Sequence, residues 1–242
     1  MADDLNYPII VKPIDRSGSR GITKVLNKES LEKAVLFSIK ESIIGSAVIE
    51  EFVEGVEVSV EGVSWKGKHT ILTITDKITT NAPHFVELEH HQPSLLPKEI
   101  KDRIVDITIN ALKSVQIEYG ASHSEFKITN SGEIYAIEVG ARMGGDFIGS
   151  HLVELSTGYD YIKGVIDIAL NKFIEPENHN QDSSYSGVYF LSKETERLLP
   201  YFERNEDYVI EKKIMNHKLV NIKNSNDRSG YLIYKSREKI FI

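Results

Sequence analysis

Ser124-Glu125-Phe126-Lys127-Ile128-Thr129-Asn130-Ser131-Gly132-Glu133-Ile134-Tyr135-Ala136-Ile137-Glu138-Val139 reads as two strands, over 123–129 and 133–139, joined by an Asn-Ser-Gly turn. If Ser131-Gly132 is the two-residue loop of the hairpin, residues pair when their numbers sum to 263, so Glu125 lies opposite Glu138. Two like charges at ~5 Å across a ladder repel. A hard cation between them turns repulsion into shared attraction, because Mg²⁺ prefers carboxylate and phosphate oxygens. The competing reading is a solvated face with one or both glutamates paired to lysines. A three-residue loop would shift the register by one.

Directly downstream, Glu138-Val139-Gly140-Ala141-Arg142-Met143-Gly144-Gly145-Asp146 puts an arginine and two adjacent glycines after an apolar strand. That suits a backbone turning close to a ligand, with a guanidinium aimed at phosphate or carboxylate; a plain glycine turn with a surface arginine is the simpler alternative. Upstream, Asp15-Arg16-Ser17-Gly18-Ser19-Arg20-Gly21 is a short polar loop whose amides and hydroxyls suit phosphate. It lacks the Gly-Lys-Ser/Thr ending of a Walker A loop, and Lys12 precedes it. Glu50-Glu51-Phe52-Val53-Glu54-Gly55-Val56-Glu57 reads as an acid-bearing edge strand that could pair with a planar base. Glu87-Leu88-Glu89-His90-His91 groups acids and imidazoles, a weak signal for zinc without further histidines at ligand spacing.

The remaining pattern predicts strands over 9–11 and 48–52, a helix over 31–42 capped by Ser30, and an antiparallel hairpin over 56–65 and 69–78. A loop containing Asn81-Ala82-Pro83 and Gln92-Pro93 follows. A long helix starts at Pro97, with Ile100, Ile104, Ile107, Ala111 and Val115 on one face. A helix over 159–170, a polar linker over 175–184 and short strands over 187–191, 208–214, 218–222 and 230–234 complete the chain.

The chain has 242 residues, and its 36 acidic and 29 basic side chains give a net charge of −7. That balance disfavours a general nucleic-acid or membrane-surface binder. The absence of cysteine removes disulfides, thiolate metal sites and thiol nucleophiles. No apolar run approaches the ~20 residues of a membrane span, and Met1-Ala2-Asp3-Asp4 does not resemble a signal peptide. A cytoplasmic protein is the expectation.

In this order, the Lys-Pro strand, the Ser-Gly-Ser-Arg-Gly loop, Glu-Glu-Phe-Val-x-Gly-x-Glu, and the two glutamate strands ending in Glu-Val-Gly-Ala-Arg-x-Gly-Gly resemble the ATP-grasp superfamily. Within it the chain looks most like the carboxylate–amine ligases, the branch of L-amino acid ligases and carnosine-synthase-like enzymes. The resemblance implies an α+β fold with antiparallel sheets. A partial small subdomain over 1–52 would carry the phosphate loop, a larger one over 53–175 the metal and substrate site, and 183–242 would form a small β subdomain.

The resemblance also implies roles. Lys12 would contact nucleotide phosphate and adenine, and the loop Ser17, Gly18, Ser19, Arg20 and Gly21 would cover the phosphates. Glu50, Glu51 and Val53 would meet adenine and Glu57 the ribose. Glu125 and Glu138 would hold Mg²⁺, or Mn²⁺ in its place. Arg142 would stabilise the acyl phosphate, while Glu87, His90, Gly144 and Gly145 would line the substrate side. The partners implied are ATP, a small carboxylate and an amine, amino acids among them.

Gly140 stands where many of these enzymes have a metal-binding asparagine. That counts against a carboxylase-like or carbamoyl-phosphate-synthase-like subunit, the first alternative; a nucleotide-binding module without turnover is the second. Only eleven residues precede Lys12, so the sequence looks like the C-terminal portion of a longer enzyme lacking an N-terminal domain. The open edge left by such a loss could pair with a second copy.

Overall fold

The computed structural model describes residues 5–176 and 184–242; of the linker expected over 175–184, residues 177–183 lie outside them. Two antiparallel sheets define the architecture. The smaller is built from β1 (Ile9–Pro13) between β2 (Thr23–Val25) and β3 (Ala47–Glu51). Its apolar side buries Ile9, Val11 and Val25 against Ala34 of helix α1 (Leu31–Glu41). Ser30 does not cap that helix through its side chain; Asn27 instead accepts from the Ser30 amide and opens a short 3₁₀ turn that runs into α1.

The larger sheet has eight strands in the order β10-β11-β9-β6-β5-β4-β7-β8. Its centre is the hairpin of β4 (Val56–Trp65) and β5 (Lys68–Thr79). On one side of this pair come β7 (Gly120–Ile128) and β8 (Ile134–Gly140). On the other come β6 (Glu87–Gln92) and then β9 (Tyr185–Leu191), β11 (Gly230–Ser236) and β10 (Val209–Ile214). Residues 87–92, read from sequence as loop, are thus an interior strand. Their charged pattern resembles a loop, yet the fold pairs the side chains on both faces. The C-terminal strands extend this sheet instead of forming one of their own, since β9 pairs with β6 from Glu89↔Tyr189 to Gln92↔Ser186. Residues 218–222 are not a strand; the Ile222 amide is held by the Glu194 carboxylate at 3.2 Å.

Helix α2 (Lys98–Ser114) covers one face through Ile104, Thr108 and Leu112. Ile104 packs with Val58, Val60, Ile74, Phe126 and Ile128 and is fully buried, so truncation to alanine costs about 2–5 kcal/mol. On the other face, α3 (Val153–Thr157) and α4 (Tyr161–Ala169) pack near the Val63 and Ala121 end of the sheet. A further short helix, α5 (Leu199–Glu203), lies beside β10. The helices leave the rest of that second face open towards the small sheet. Among the described residues no helix is long and apolar enough to cross a membrane.

Candidate functional site

A cleft of about 940 Å³ lies between the two sheets. Its floor is a lattice of side chains set by strand register. Glu57 of β4 pairs with Lys77 of β5 and with Lys127 of β7, and Lys77 in turn pairs with His90 of β6. On the neighbouring rungs Ser59 faces Glu125, Glu61 faces His123, and Glu125 faces Glu138. Cross-strand partners share a face, so opposite charges alternate across the sheet.

Lys77 is the centre of this floor. Its Nζ lies 2.6 Å from carboxylate oxygens of Glu57 and of Glu125, and 3.8 Å from Glu87. Burial opposes its charge, but Glu125, Glu57 and Glu87 together raise it well above the ordinary lysine range. Burial likewise opposes ionisation of Glu125; Lys77 and His123 nevertheless hold its carboxyl well below the usual carboxylate range. The His123 ring bridges two acids, with Nδ1 at 2.5 Å from Glu61 and Nε2 at 3.2 Å from Glu125. Burial disfavours its cation, and the bonds to Glu125 and Glu61 outweigh that and push it up to about 9. Glu61 is fully buried, and its second oxygen accepts from the Gly144 amide at 3.1 Å. A Cβ at Gly144 would stand 2.9 Å from both Glu61 and His123, which explains glycine there.

Most residues singled out in the sequence meet at this cleft: Lys12, Ser17 to Arg20, Glu50, Glu51, Val53, Glu57, Glu87, His90, Glu125, Glu138, Arg142 and Gly145 all line it. Gly21 and Gly144 do not. Gly21 is tucked behind the loop, its carbonyl accepting from Ser38 Oγ at 2.9 Å, and Gly144 serves Glu61 from below. Lys12 pairs with Glu50 at 2.6 Å. Glu138 is half-exposed and accepts from Arg142 Nη2 at 3.0 Å. The phosphate-loop candidate is docked: Ser19 Oγ donates to the Phe85 carbonyl at 2.8 Å, and Gly18 accepts from the Ser225 amide at 3.4 Å. His90 and His91 alternate to opposite faces, and His91 bonds instead to Tyr234 and Glu89 behind the sheet. Among the described residues no group of three or more His, Asp or Glu is arranged to hold a metal by itself.

Sequence reading missed Lys77, Glu61, His123, Lys127, Asp146 and Arg228. His123 and Glu61 carried a signal, since a strand pairing of β4 with β7 brings them together. Lys77 and Arg228 carried none.

Residues 5–150 match the ATP-grasp domain family, and the chain belongs to that family. Among curated proteins it is 29% identical over 150 residues to a D-alanine–D-alanine ligase of Christiangramia forsetii, covering 60% of this chain and 45% of the relative. It is 26% identical over 165 residues to the alanine–anticapsin ligase of Bacillus subtilis, covering 59% and 34% respectively. An L-amino acid ligase from Bacillus licheniformis superimposes with a TM-score of 0.77 at 23% identity, over 97% of this chain and 59% of that one. The chain thus spans between about a third and a half of the length of these two curated relatives.

Proposed function

We propose that the chain is the nucleotide- and metal-binding part of an ATP- and Mg²⁺-dependent ligase that joins a carboxylate to an amine. The observation that carries this reading is the pairing of Glu125 with Glu138 on the cleft floor, beneath a serine-glycine loop and Lys12 on the opposite wall. Relatives that are amino-acid ligases support it.

The donor set fits the metal. Two carboxylates on adjacent strands supply hard oxygens from one side, and Mg²⁺ is commonly bound by one or two carboxylates plus substrate phosphates. Bound there, the ion would neutralise phosphate charge. The protein's own residues position and stabilise. Lys12 and the amides of the 17–21 loop bind the phosphates, and the 50–53 strand end meets the base. A carboxylate oxygen of the substrate attacks the γ-phosphorus and ADP leaves, giving an acyl phosphate. The amine then attacks the acyl carbon, loses a proton, and inorganic phosphate departs. Arg142 faces the charge that develops in both steps.

ADP release with a panel of amino acids tests the reading. Release that exceeds the ATP-only background and requires an added acid and amine supports it. Mg·ATP binding without substrate-dependent release would instead favour a nucleotide-binding module.

A further inference from the structure

Glu61 of β4 is fully buried and lies under the cleft instead of lining it. A carboxylate taken out of water has to be paired and hydrogen-bonded, and both of its oxygens are. Oε1 accepts from His123 Nδ1 at 2.5 Å, and Oε2 accepts from the Gly144 amide at 3.1 Å. The far nitrogen of the same ring, Nε2, stands 3.2 Å from Glu125 Oε1. Each ring nitrogen faces a carboxylate, so both donate.

Stability alone does not account for an acid at this position. A buried ion pair is often no more stable than well-packed apolar residues of similar volume. The next pair on the same face of these two strands, Val63 and Ala121, is apolar and packs with Val153 and Tyr161. The sheet thus closes its far end with hydrocarbon and carries a charged pair where that pair reaches Glu125. The Gly144 contact leads elsewhere. Gly144 follows Arg142 by two residues, and its carbonyl accepts from the Gly149 amide at 3.3 Å. The turn is therefore held between β4 and the helical run that starts at Ile148. One oxygen of Glu61 leads to Glu125, and the other to the turn that carries Arg142.

We propose that Glu61 is a positioning residue: through the His123 ring it orients Glu125 towards the bound cation, and through the Gly144 amide it fixes the Arg142 turn relative to that carboxylate. The cation and the part played by Arg142 rest on the ligase reading; the tether from Glu61 to Glu125 requires no turnover. Outer partners that orient a ligating group typically change metal affinity by about 10- to 100-fold when removed. Glu61 reaches the ligand through one ring, so its removal should fall in that range.

Titration calorimetry of the whole chain with ADP, first with a chelator and then with Mg²⁺, separates the metal-dependent share of nucleotide affinity from the rest. The wild type should bind ADP more tightly with Mg²⁺. Glu61→Met removes both acceptors and should weaken Mg·ADP roughly tenfold or more, with metal-free ADP unchanged within about twofold. Glu61→Gln keeps one acceptor and should lose less. In a His123→Gln background the Glu61→Gln loss should be much smaller, because the ring that transmits it is gone. Gly144→Ala presses on the same groups, since its Cβ would stand 2.9 Å from both Glu61 and His123. It should act in the same direction with the Glu61 charge intact, which guards against a misfolded Glu61→Met. A general loosening of the fold would weaken metal-free and Mg·ADP binding together. That result, unchanged Mg·ADP affinity in Glu61→Met and Gly144→Ala, additive losses in the double variant, or a wild type that gains no ADP affinity from Mg²⁺ each overturns the proposal. The expected Mg²⁺-dependent losses without substrate-dependent ADP release would sink the ligase reading and leave the tether standing.

Discussion

The ammonium of Lys77 lies 2.6 Å from Oε1 of Glu125 and belongs equally to Glu57 on the next strand. The pair of opposed glutamates read from the sequence is therefore not bare: one of them is neutralised from beneath by a lysine and braced from the side by His123. Breaking a buried ion pair by removing one member leaves the other charge uncompensated, at about 3–5 kcal/mol. Lys77→Met should lower stability by that amount in urea denaturation and also weaken Mg·ATP binding. A loss below about 1 kcal/mol would show that Lys77 does not hold the floor together.

Glu125 and Glu138 should respond differently to neutralisation. Glu138 is half-exposed and meets Arg142 at the surface, where such pairs contribute little. Glu138→Gln should leave the melting temperature within a few degrees and weaken Mg·ATP, measured by titration calorimetry. Glu125→Gln removes a partner of both Lys77 and His123, so it should weaken nucleotide and destabilise the fold together. Equal stability loss in the two variants would contradict this division.

Stability should fall as the solution becomes alkaline. His123 has a folded-state pKa of about 9 against about 6.5 in an unfolded chain. A raised pKa gives stabilisation that is complete below about pH 6.5 and is lost as pH rises through 9. The full effect is on the order of 3 kcal/mol. At the acid end the depressed Glu125 carboxyl works the other way, its contribution vanishing as pH drops below the ordinary carboxylate range. Denaturation midpoints of the metal-free protein at pH 6.5 and 9.5 test this. His123→Gln should flatten the alkaline limb; an unchanged slope would rule out His123 as its source.

The Glu125–Glu138 pairing shows why part of the site was legible and part was not. A two-residue loop is the simplest reading of the hairpin sequence, but Thr129 donates to Glu133 at 3.0 Å and Gly132 has φ of 81°, so three residues make the turn. Near the turn the partners sum to 262, as in Ile128↔Ile134. One extra residue in β8, Ile137, then restores the sum of 263 at Glu125↔Glu138. The two glutamates still face each other because a bulge offsets the loop. In the β4–β5 hairpin the same device worked against sequence reading. The Lys66-Gly67 turn alone pairs Glu57 with Asp76, and an extra residue at Leu72 brings Lys77 there instead. A one-residue slip exchanges the two faces of a strand, and no local pattern announces a bulge. The long helix at 98–114 was legible because its apolar period runs over several turns. Arg228 was not, because its partners lie 82 and 141 residues away.

The 17–21 loop offers a last test, at the glycine that lets it close. Gly18 has φ of 66°, and a Cβ there would come within 2.3 Å of Ser225 Oγ. Alanine at this position meets both a left-handed backbone cost of about 1–2 kcal/mol and a clash with the Ser225 side chain, which must rotate or shift to make room. The contacts that dock the loop are few, a hydroxyl to the Phe85 carbonyl and an amide from Ser225, so its opening should cost little compared with global unfolding. In the wild type, amide exchange at 17–21 should slow on adding Mg·ATP, because phosphate oxygens would accept from the loop's N–H groups. Gly18→Ala should exchange faster there without nucleotide and bind Mg·ATP more weakly, while amides of the β4–β5 core stay protected as before. Exchange in the wild-type loop that ignores Mg·ATP would remove the loop from the phosphate site.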